Sequence, residues 1–155
     1  MELIVFDFDG VFTDNKVYVS QDGTESVMCD RRDGLGIKML KKLNIPMFIL
    51  SMENNPVVLA RAKKLGLKVK TGCEDKKRFL RNYFKLKGVD SANVIYIGND
   101  LNDLEAMEMV GYSVCPDDSH QKVKEMVSYI LTAKGGNGAV REFVELLISA
   151  RLRSN

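Results

Sequence analysis

The chain is predicted to be an α/β protein: a doubly wound, mainly parallel, Rossmann-like sheet with a β-hairpin inserted after its first strand. Three observations carry this expectation. Short apolar runs such as Leu3-Ile4-Val5-Phe6, Met47-Phe48-Ile49-Leu50 and Val94-Ile95-Tyr96-Ile97 are continuous rather than alternating, as in strands buried on both faces. Helical stretches of about 10 to 13 residues separate them, the rhythm of βαβ units. Glycine, proline, asparagine and aspartate mark the junctions.

Each element has its own signal. Leu3 to Phe6 is the first strand. Lys16 to Ser20 and Thr24 to Cys29 flank Gln21-Asp22-Gly23, a hairpin turn sequence. A helix is expected from about Leu35 to Leu43, with Ile37, Met39, Leu40 and Leu43 spaced for one face. Pro46 to Leu50 is the next strand and ends at Ser51. Asn55-Pro56 reads as a helix start and Gly66 as its stop. Leu67 to Lys70 is a short strand, and Asp75 can cap a helix running to Lys87 before Gly88. Asn93 to Ile97 is a strand leading into Gly98-Asn99-Asp100-Leu101-Asn102-Asp103, and a helix to Val110 stops at Gly111. Tyr112 to Cys115 is a strand, Gln121 to Val127 a helix and Tyr129 to Leu131 a short strand. The turn Lys134-Gly135-Gly136-Asn137-Gly138 leads into a last helix from about Ala139 to Arg151.

In a parallel sheet of this kind, ligands bind at the carboxyl ends of the strands. Those ends carry one chemical set: Asp7 and Asp9, then Ser51, then Lys76 just after Asp75, then Asp100 with Asp103. Two carboxylates one residue apart repel each other and need a cation or a proton to coexist. Asp7, Asp9 and Asp100 supply the hard oxygen ligands that Mg²⁺ prefers, and a metal there would shield an attacking carboxylate from an anionic phosphoryl group. Ser51 and Lys76 would hold phosphate oxygens. Asp7 would be the nucleophile, through an aspartyl-phosphate, and Asp9 the acid and base. Gly10 removes a side chain where backbone must come close to phosphate. Each residue also has a plain reading as a turn former, cap or solvated charge; their joint occurrence on one sheet edge is what argues for chemistry.

With Asp7-x-Asp9-Gly10-x-x-Thr13, Ser51, Lys76 and Gly98-Asn99-Asp100-x-x-Asp103 in that order, the chain resembles the haloacid dehalogenase superfamily of phosphotransferases. The resemblance implies Mg²⁺ on Asp7, the main-chain carbonyl of Asp9, and Asp100, with Asp103 and Thr13 supporting from behind. Asn99 stands where many relatives carry Asp. Neither usual insertion point has room for a cap domain, so residues 1–155 are expected to form one capless phosphatase domain, its hairpin at about 15–29 and its C-terminal turn and helix at about 134–152.

The remaining sequence resembles one capless branch, the phosphatases of 3-deoxy sugar acids, and also the C-terminal part of some cytidylyltransferases that activate sialic acid. The shared stretches are the hairpin, Arg32-Asp33-Gly34-Leu35-Gly36-Ile37-Lys38, and Gly135-Gly136-Asn137-Gly138-Ala139-Val140-Arg141-Glu142. That likeness implies a homotetramer in which a neighbouring subunit completes each site. It also implies substrate contacts from Asp30, Arg32, Asp33, Gly34, Lys38, Glu53, Arg61 and Lys64. Octulosonate enzymes of the branch tend to carry Arg where this chain has Glu53. Glu53, Arg61 and Lys64 look like the nonulosonate type, so a nonulosonate 9-phosphate is expected ahead of an octulosonate 8-phosphate.

Composition agrees with an ordinary globular enzyme: 45% of residues are apolar and 28% charged among 155. A net charge of +2 suggests neither a nucleic-acid nor a membrane partner. Three scattered cysteines, no apolar run of spanning length and a core strand starting at Leu3 lead to the expectation of a reduced, cytoplasmic protein. A receiver-type signalling module also clusters Asp, a hydroxyl and Lys on such a sheet. There the acidic pair and the phosphorylated Asp lie on different strands, unlike Asp7 and Asp9. A tetramer-forming appendage without activity is the third reading, and the complete catalytic set argues against it.

Overall fold

The structure, a computed structural model, describes residues 1–153. Its elements in chain order are β1 (Leu3–Phe6), β2 (Tyr18–Val19), β3 (Glu25–Ser26), α1 (Arg31–Lys41), β4 (Met47–Leu50), α2 (Pro56–Leu65), β5 (Lys68–Lys70), α3 (Lys76–Lys87), β6 (Val94–Ile97), α4 (Leu104–Met107), β7 (Tyr112–Cys115), α5 (Gln121–Met126), β8 (Tyr129–Ile130) and α6 (Ala139–Arg153). Six strands form one sheet in the order β5-β4-β1-β6-β7-β8. Every neighbouring pair in it is parallel. β2 and β3 form a separate antiparallel hairpin.

Strand alternation divides the core between two faces. Ile4 and Phe6 of β1 join Ile49, Ile95, Ile97 and Val114 under α1, α2 and α6. Leu3 and Val5 join Phe48, Leu50, Val94 and Tyr96 under α3, α4 and α5. Helices on both faces are what the unbroken apolar strands require. The change of direction in strand order falls between β1 and β6, which brings the ends of β1, β4 and β6 side by side at one edge.

Several boundaries differ from expectation for identifiable reasons. α1 begins at Arg31, four residues before the expected Leu35, because the Asp30 carboxylate caps it by accepting from the Arg32 N–H at 2.7 Å. Gly34 and Gly36 are inside this helix; a Cβ on Gly36 would stand 3.1 Å from the Arg141 Cα, so glycine lets α6 pack close. α4 is a single turn ending at Met107, preceded by a 3-10 turn over Leu101–Asp103. The hairpin strands are two residues each, shorter than expected, and an isolated bridge between Thr13 and Cys29 closes their base. α2 and α3 start at the expected caps, Asn55 and Asp75, and end at left-handed Gly66 and Gly88.

The turn before α6 lies against the loop after β1. Gly136 N–H donates to the Val11 carbonyl at 3.1 Å, and a Cβ on Gly135 would stand 2.0 Å from the Gly10 carbonyl oxygen. Backbone meets backbone here, so neither side can yield by turning a side chain. Gly135→Ala is therefore expected to destabilise the protein by about 1–3 kcal/mol, as overpacking does, measured as a lower urea midpoint at unchanged slope. An unchanged midpoint would show that the two loops are not held together.

Candidate active site

The loop after β1 is built by alternation. Phe6, Phe8 and Phe12 turn into the core, with ring centroids of Phe6 and Phe12 at 5.5 Å and of Phe8 and Phe12 at 6.0 Å. Asp7 and Asp9, at the intervening positions, are thereby directed out of that core. Asp7 is 4% exposed, while Asp9 is partly open. Thr13 Oγ1 accepts from Gly10 N–H at 3.1 Å and Asn15 N–H at 3.2 Å, and its hydroxyl lies 3.5 Å from Asp9 Oδ1.

Lys76 is the first residue of α3 and is almost wholly buried. Its Nζ donates to Asp7 Oδ1 at 2.8 Å and to Asp103 Oδ1 at 2.6 Å. Asp103 is fully buried and saturated. Its Oδ1 also accepts from the Tyr96 hydroxyl at 2.7 Å, and its Oδ2 accepts from Asn99 N–H at 2.9 Å and Asp100 N–H at 3.4 Å. The expectation that Lys76 is a phosphate ligand is refined by this geometry: two of its three N–H groups hold carboxylates, leaving one.

Asn99 closes the arrangement. In the orientation that satisfies its surroundings, its amide nitrogen donates to Asp7 Oδ2 at 3.3 Å and to the Asp9 carbonyl at 2.8 Å. Turned the other way, its oxygen joins those two oxygens in a three-oxygen cradle, a donor set that suits a hard divalent cation. Among the described residues no cluster of three or more His, Cys, Asp or Glu side chains forms a metal site. Asp100, expected as the third ligand, also caps the next turn, its Oδ1 accepting from the Leu101 N–H at 2.7 Å. It is still on the wall of the pocket.

That pocket has a volume of about 320 Å³ and is lined by Asp7, Asp9, Asn15, Ser51, Met52, Glu53, Asn99, Asp100 and Asn102. Ser51 Oγ accepts from Glu53 N–H at 3.1 Å, which leaves its O–H free to donate into the pocket. Gly72 N–H to the Glu53 carbonyl and Cys73 N–H to the Ser51 carbonyl tie this loop to the segment that delivers Lys76.

Comparison with known proteins decides the family. The family model for haloacid dehalogenase-like hydrolases matches residues 37–143. A 3-deoxy-D-manno-octulosonate 8-phosphate phosphatase of Haemophilus influenzae is 33% identical over 156 residues, spanning 100% of this chain and 87% of the relative. The chain belongs to the haloacid dehalogenase-like hydrolases. A hydrolase of this family from Streptomyces avermitilis superposes with a TM-score of 0.90 at 41% identity, over 94% of this chain and 89% of that one. The octulosonate phosphatase of Moraxella catarrhalis, solved with magnesium, phosphate and the sugar acid KDO, superposes with a TM-score of 0.92 at 34% identity, over 97% and 87% of the two chains. The sheet carries no cap: a hairpin alone lies between β1 and α1, and only α2 and β5 lie between Ser51 and α3.

Of the expected set, Asp7, Asp9, Ser51 and Asp100 line the pocket while Lys76 and Asp103 stand behind Asp7, and the substrate residues divide. Glu53 lines the pocket. Asp30 and Arg32 pair with each other, and Arg32 also donates to Asn137 Oδ1 at 2.7 Å. Asp33 is fully buried and accepts from Arg141 N–H at 2.9 Å, fastening α1 to α6; within one chain it is a structural carboxylate rather than a substrate contact. Gly34 lies near Leu65 inside α1. Arg61 donates to the Asp30 carbonyl at 2.8 Å, while Lys38 and Lys64 are exposed outside the pocket lining. The reading missed Asn15, Asn102, Asn99 as a site residue, and Tyr96. Asn15 adopts a left-handed φ of 62°, which no local pattern announced.

Burial, followed by the charge of Asp103, pushes the Asp7 carboxyl up to about 8 against the opposing pull of Lys76. Burial and the nearby Glu53 carboxylate raise Asp9 above the usual carboxylate range. Burial raises Asp33 to about 6. For Lys76, burial works against the charge, but Asp7 and Asp103 overcome it and hold the ammonium above its ordinary value. Carboxyls in the unfolded chain release protons near pH ~4, so at higher pH the folded metal-free protein holds protons that the unfolded chain has lost. Raising pH toward 8 through the Asp33 and Asp7 values should therefore lower stability. Thermal denaturation in excess chelator should give a lower midpoint at pH 8 than at pH 6; a higher one would contradict the charge arrangement.

Proposed function

We propose that the chain is a Mg²⁺-dependent phosphomonoester hydrolase acting on a 3-deoxy sugar-acid phosphate. The observation that carries this is the convergence of Asp7, Asp9, Ser51 and Asn99 at one pocket, with Lys76 bonded to Asp7 from behind it, in a fold whose relative holds magnesium, phosphate and a sugar acid.

Asp7, the main-chain carbonyl of Asp9 and the Asn99 amide oxygen would hold the cation, with Asp100 adding negative charge at the wall. When bound, Mg²⁺ shields the Asp7 carboxylate from the anionic phosphoryl group it must approach. Lys76 keeps Asp7 oriented and opposes the burial that favours its protonated form. The Ser51 hydroxyl and the remaining Lys76 N–H bind phosphoryl oxygens as charge shifts onto them. Asp7 attacks phosphorus and the bond to the sugar oxygen breaks, giving an aspartyl-phosphate. Asp9, whose carboxyl retains its proton above the usual range, donates it to the departing alkoxide. The resulting Asp9 carboxylate then takes a proton from water as that water attacks the aspartyl-phosphate, releasing inorganic phosphate.

Sugar identity divides on two observations. The curated relatives are octulosonate 8-phosphate phosphatases, which supports the eight-carbon substrate over the expected nine-carbon one. Glu53 on the pocket wall favours the nonulosonate 9-phosphate, because a carboxylate there accepts from sugar hydroxyls and repels a carboxylate. No basic side chain lines the pocket among the described residues, so the substrate's carboxylate must find its cation elsewhere. Val17, Tyr18, Val19 and Met28 are each more than half exposed on the hairpin and its base. Their exposure supports an oligomer, a homotetramer by resemblance, in which a neighbour supplies that cation and closes the site.

Asp7→Asn should abolish phosphate release while leaving the melting curve intact, and Asn99→Ala should raise the Mg²⁺ concentration giving half-maximal rate. Retained turnover in the first variant would rule out the aspartyl-phosphate route. kcat/KM measured for the two sugar-acid phosphates should favour the octulosonate, and Glu53→Arg should increase that preference. A tenfold preference of the parent for the nine-carbon compound would reverse the assignment.

A further inference from the structure

Tyr96 belongs to the middle of β6 and is fully buried among the apolar side chains beneath α3, α4 and α5. In the sheet register it lies beside Val5, two residues before Asp7 on β1 and on the same face. A phenylalanine would fill this site without bringing a polar group into the core. The tyrosine hydroxyl has one recorded partner, the Asp103 Oδ1 that also accepts from Lys76.

We propose that Tyr96 is a positioning residue for phosphoryl transfer, its O–H fixing the Asp103 carboxylate that aims Lys76 at the nucleophile Asp7. The assignment rests on the reading of Asp7 as nucleophile. Two backbone N–H groups hold Asp103 Oδ2, whereas its Oδ1 is held only by the Tyr96 hydroxyl and by the ammonium it positions. Without Tyr96, the only restraint on Oδ1 is Lys76 itself. Two consequences follow. With Oδ1 held by Lys76 alone, the carboxylate and the ammonium can shift together, moving Lys76 relative to Asp7. Its undivided charge also draws the ammonium away from Asp7, which weakens the cation that orients the attacking carboxylate. Lys76 Nζ stands 2.6 Å from Asp103 and 2.8 Å from Asp7, so a small displacement changes the balance between them. The hydroxyl touches no pocket atom, and ground-state substrate binding should not sense its loss.

The test uses the full chain with saturating Mg²⁺ and p-nitrophenyl phosphate, so that it does not depend on which sugar acid is hydrolysed. Tyr96→Phe should lower kcat about tenfold to a hundredfold, the range for losing a hydrogen bond that orients a directly acting group. KM should stay within about twofold and the protein should remain folded. A variant carrying p-aminophenylalanine in place of Tyr96 keeps an N–H donor at the same distance from the ring and should recover most of kcat. A kcat for Tyr96→Phe within twofold of the parent would overturn the proposal, as would equal losses in the two variants or a change confined to KM. An unfolded Tyr96→Phe protein beside a folded p-aminophenylalanine protein would assign the hydroxyl to stability and overturn it too. Asp7→Asn, run in parallel, separates the two levels: activity there would remove the nucleophile reading itself, whereas an inert Asp7→Asn with a fully active Tyr96→Phe would sink only the role of Tyr96.

Discussion

The Asp7–Lys76–Asp103 cluster is the constraint on which the site depends. Two carboxyl groups and one ammonium are buried together in a low-dielectric interior, where burial and the Asp103 charge favour a proton on Asp7 until a cation arrives. Removing such groups from water costs several kcal/mol per ion unless geometry and further hydrogen bonds offset it. Here the offset is visible: Asp103 is saturated by a phenol, an ammonium and two backbone amides. Asp7 is not. Its Oδ1 is held by Lys76, and its Oδ2 lies 3.3 Å from the Asn99 amide at the pocket, where a cation would replace the proton that burial favours. A divalent cation and a phosphoryl group arriving there complete an electrostatic arrangement that the protein alone leaves open.

The fold serves that cluster by bringing three strand ends together. β1 supplies Asp7, the segment after β4 supplies Ser51, and β6 supplies Tyr96 and leads to Asn99 and Asp103. Lys76 comes from outside this set, at the start of α3, and its long stem lets a helix N-terminus reach into the sheet edge. The loop carrying Asp9 is fixed from two directions. Phe8 and Phe12 anchor it in the core, and the turn before α6 presses glycine backbone against Gly10 from outside. A Cβ on Gly10 would meet the Asn99 amide at 1.9 Å, so this glycine makes room for a side chain of its own site.

Most of the fold was legible because its signals are local. Continuous apolar strands, Asn55-Pro56, Asp75, Gly66 and Gly88 each determine geometry within a few residues. The candidate site was legible for a related reason: Asp7-x-Asp9-Gly10 and Gly98-Asn99-Asp100-x-x-Asp103 are short motifs with fixed spacing. What escaped depends on distant partners. Asp30 reads as a loop residue until its carboxylate is seen capping a helix that Gly34 and Gly36 obscure. Asp33 reads as a polar contact until Arg141, 108 positions away, is seen donating to it. Tyr96 reads as one more apolar strand residue, since nothing in Val94-Ile95-Tyr96-Ile97 reveals that its hydroxyl meets Asp103.

Electrostatics on the pocket wall constrains the orientation of any substrate. Asp7, Asp9, Glu53 and Asp100 all line it, and Lys76 neutralises charge from behind rather than from the wall. A metal cation sharing the site offsets the repulsion between an entering phosphate dianion and the acidic groups of this wall. A second anionic group on the same molecule gains nothing from that cation once phosphate occupies it. On the proposed reading, the carboxylate of a sugar-acid phosphate would point away from Glu53 and its hydroxyls toward it. Lys38 and Lys64 are outside this wall, and Arg61 is already engaged by the Asp30 carbonyl. Chain length then becomes a geometric question: the substrate must be long enough to put its carboxylate beyond the acidic rim and within reach of a cation, whether on α1, on α2 or on a neighbouring subunit. On the proposed reading, sugar choice would be set by Glu53 on the wall and by the cation at the far end of the substrate, and not by the groups that break the bond.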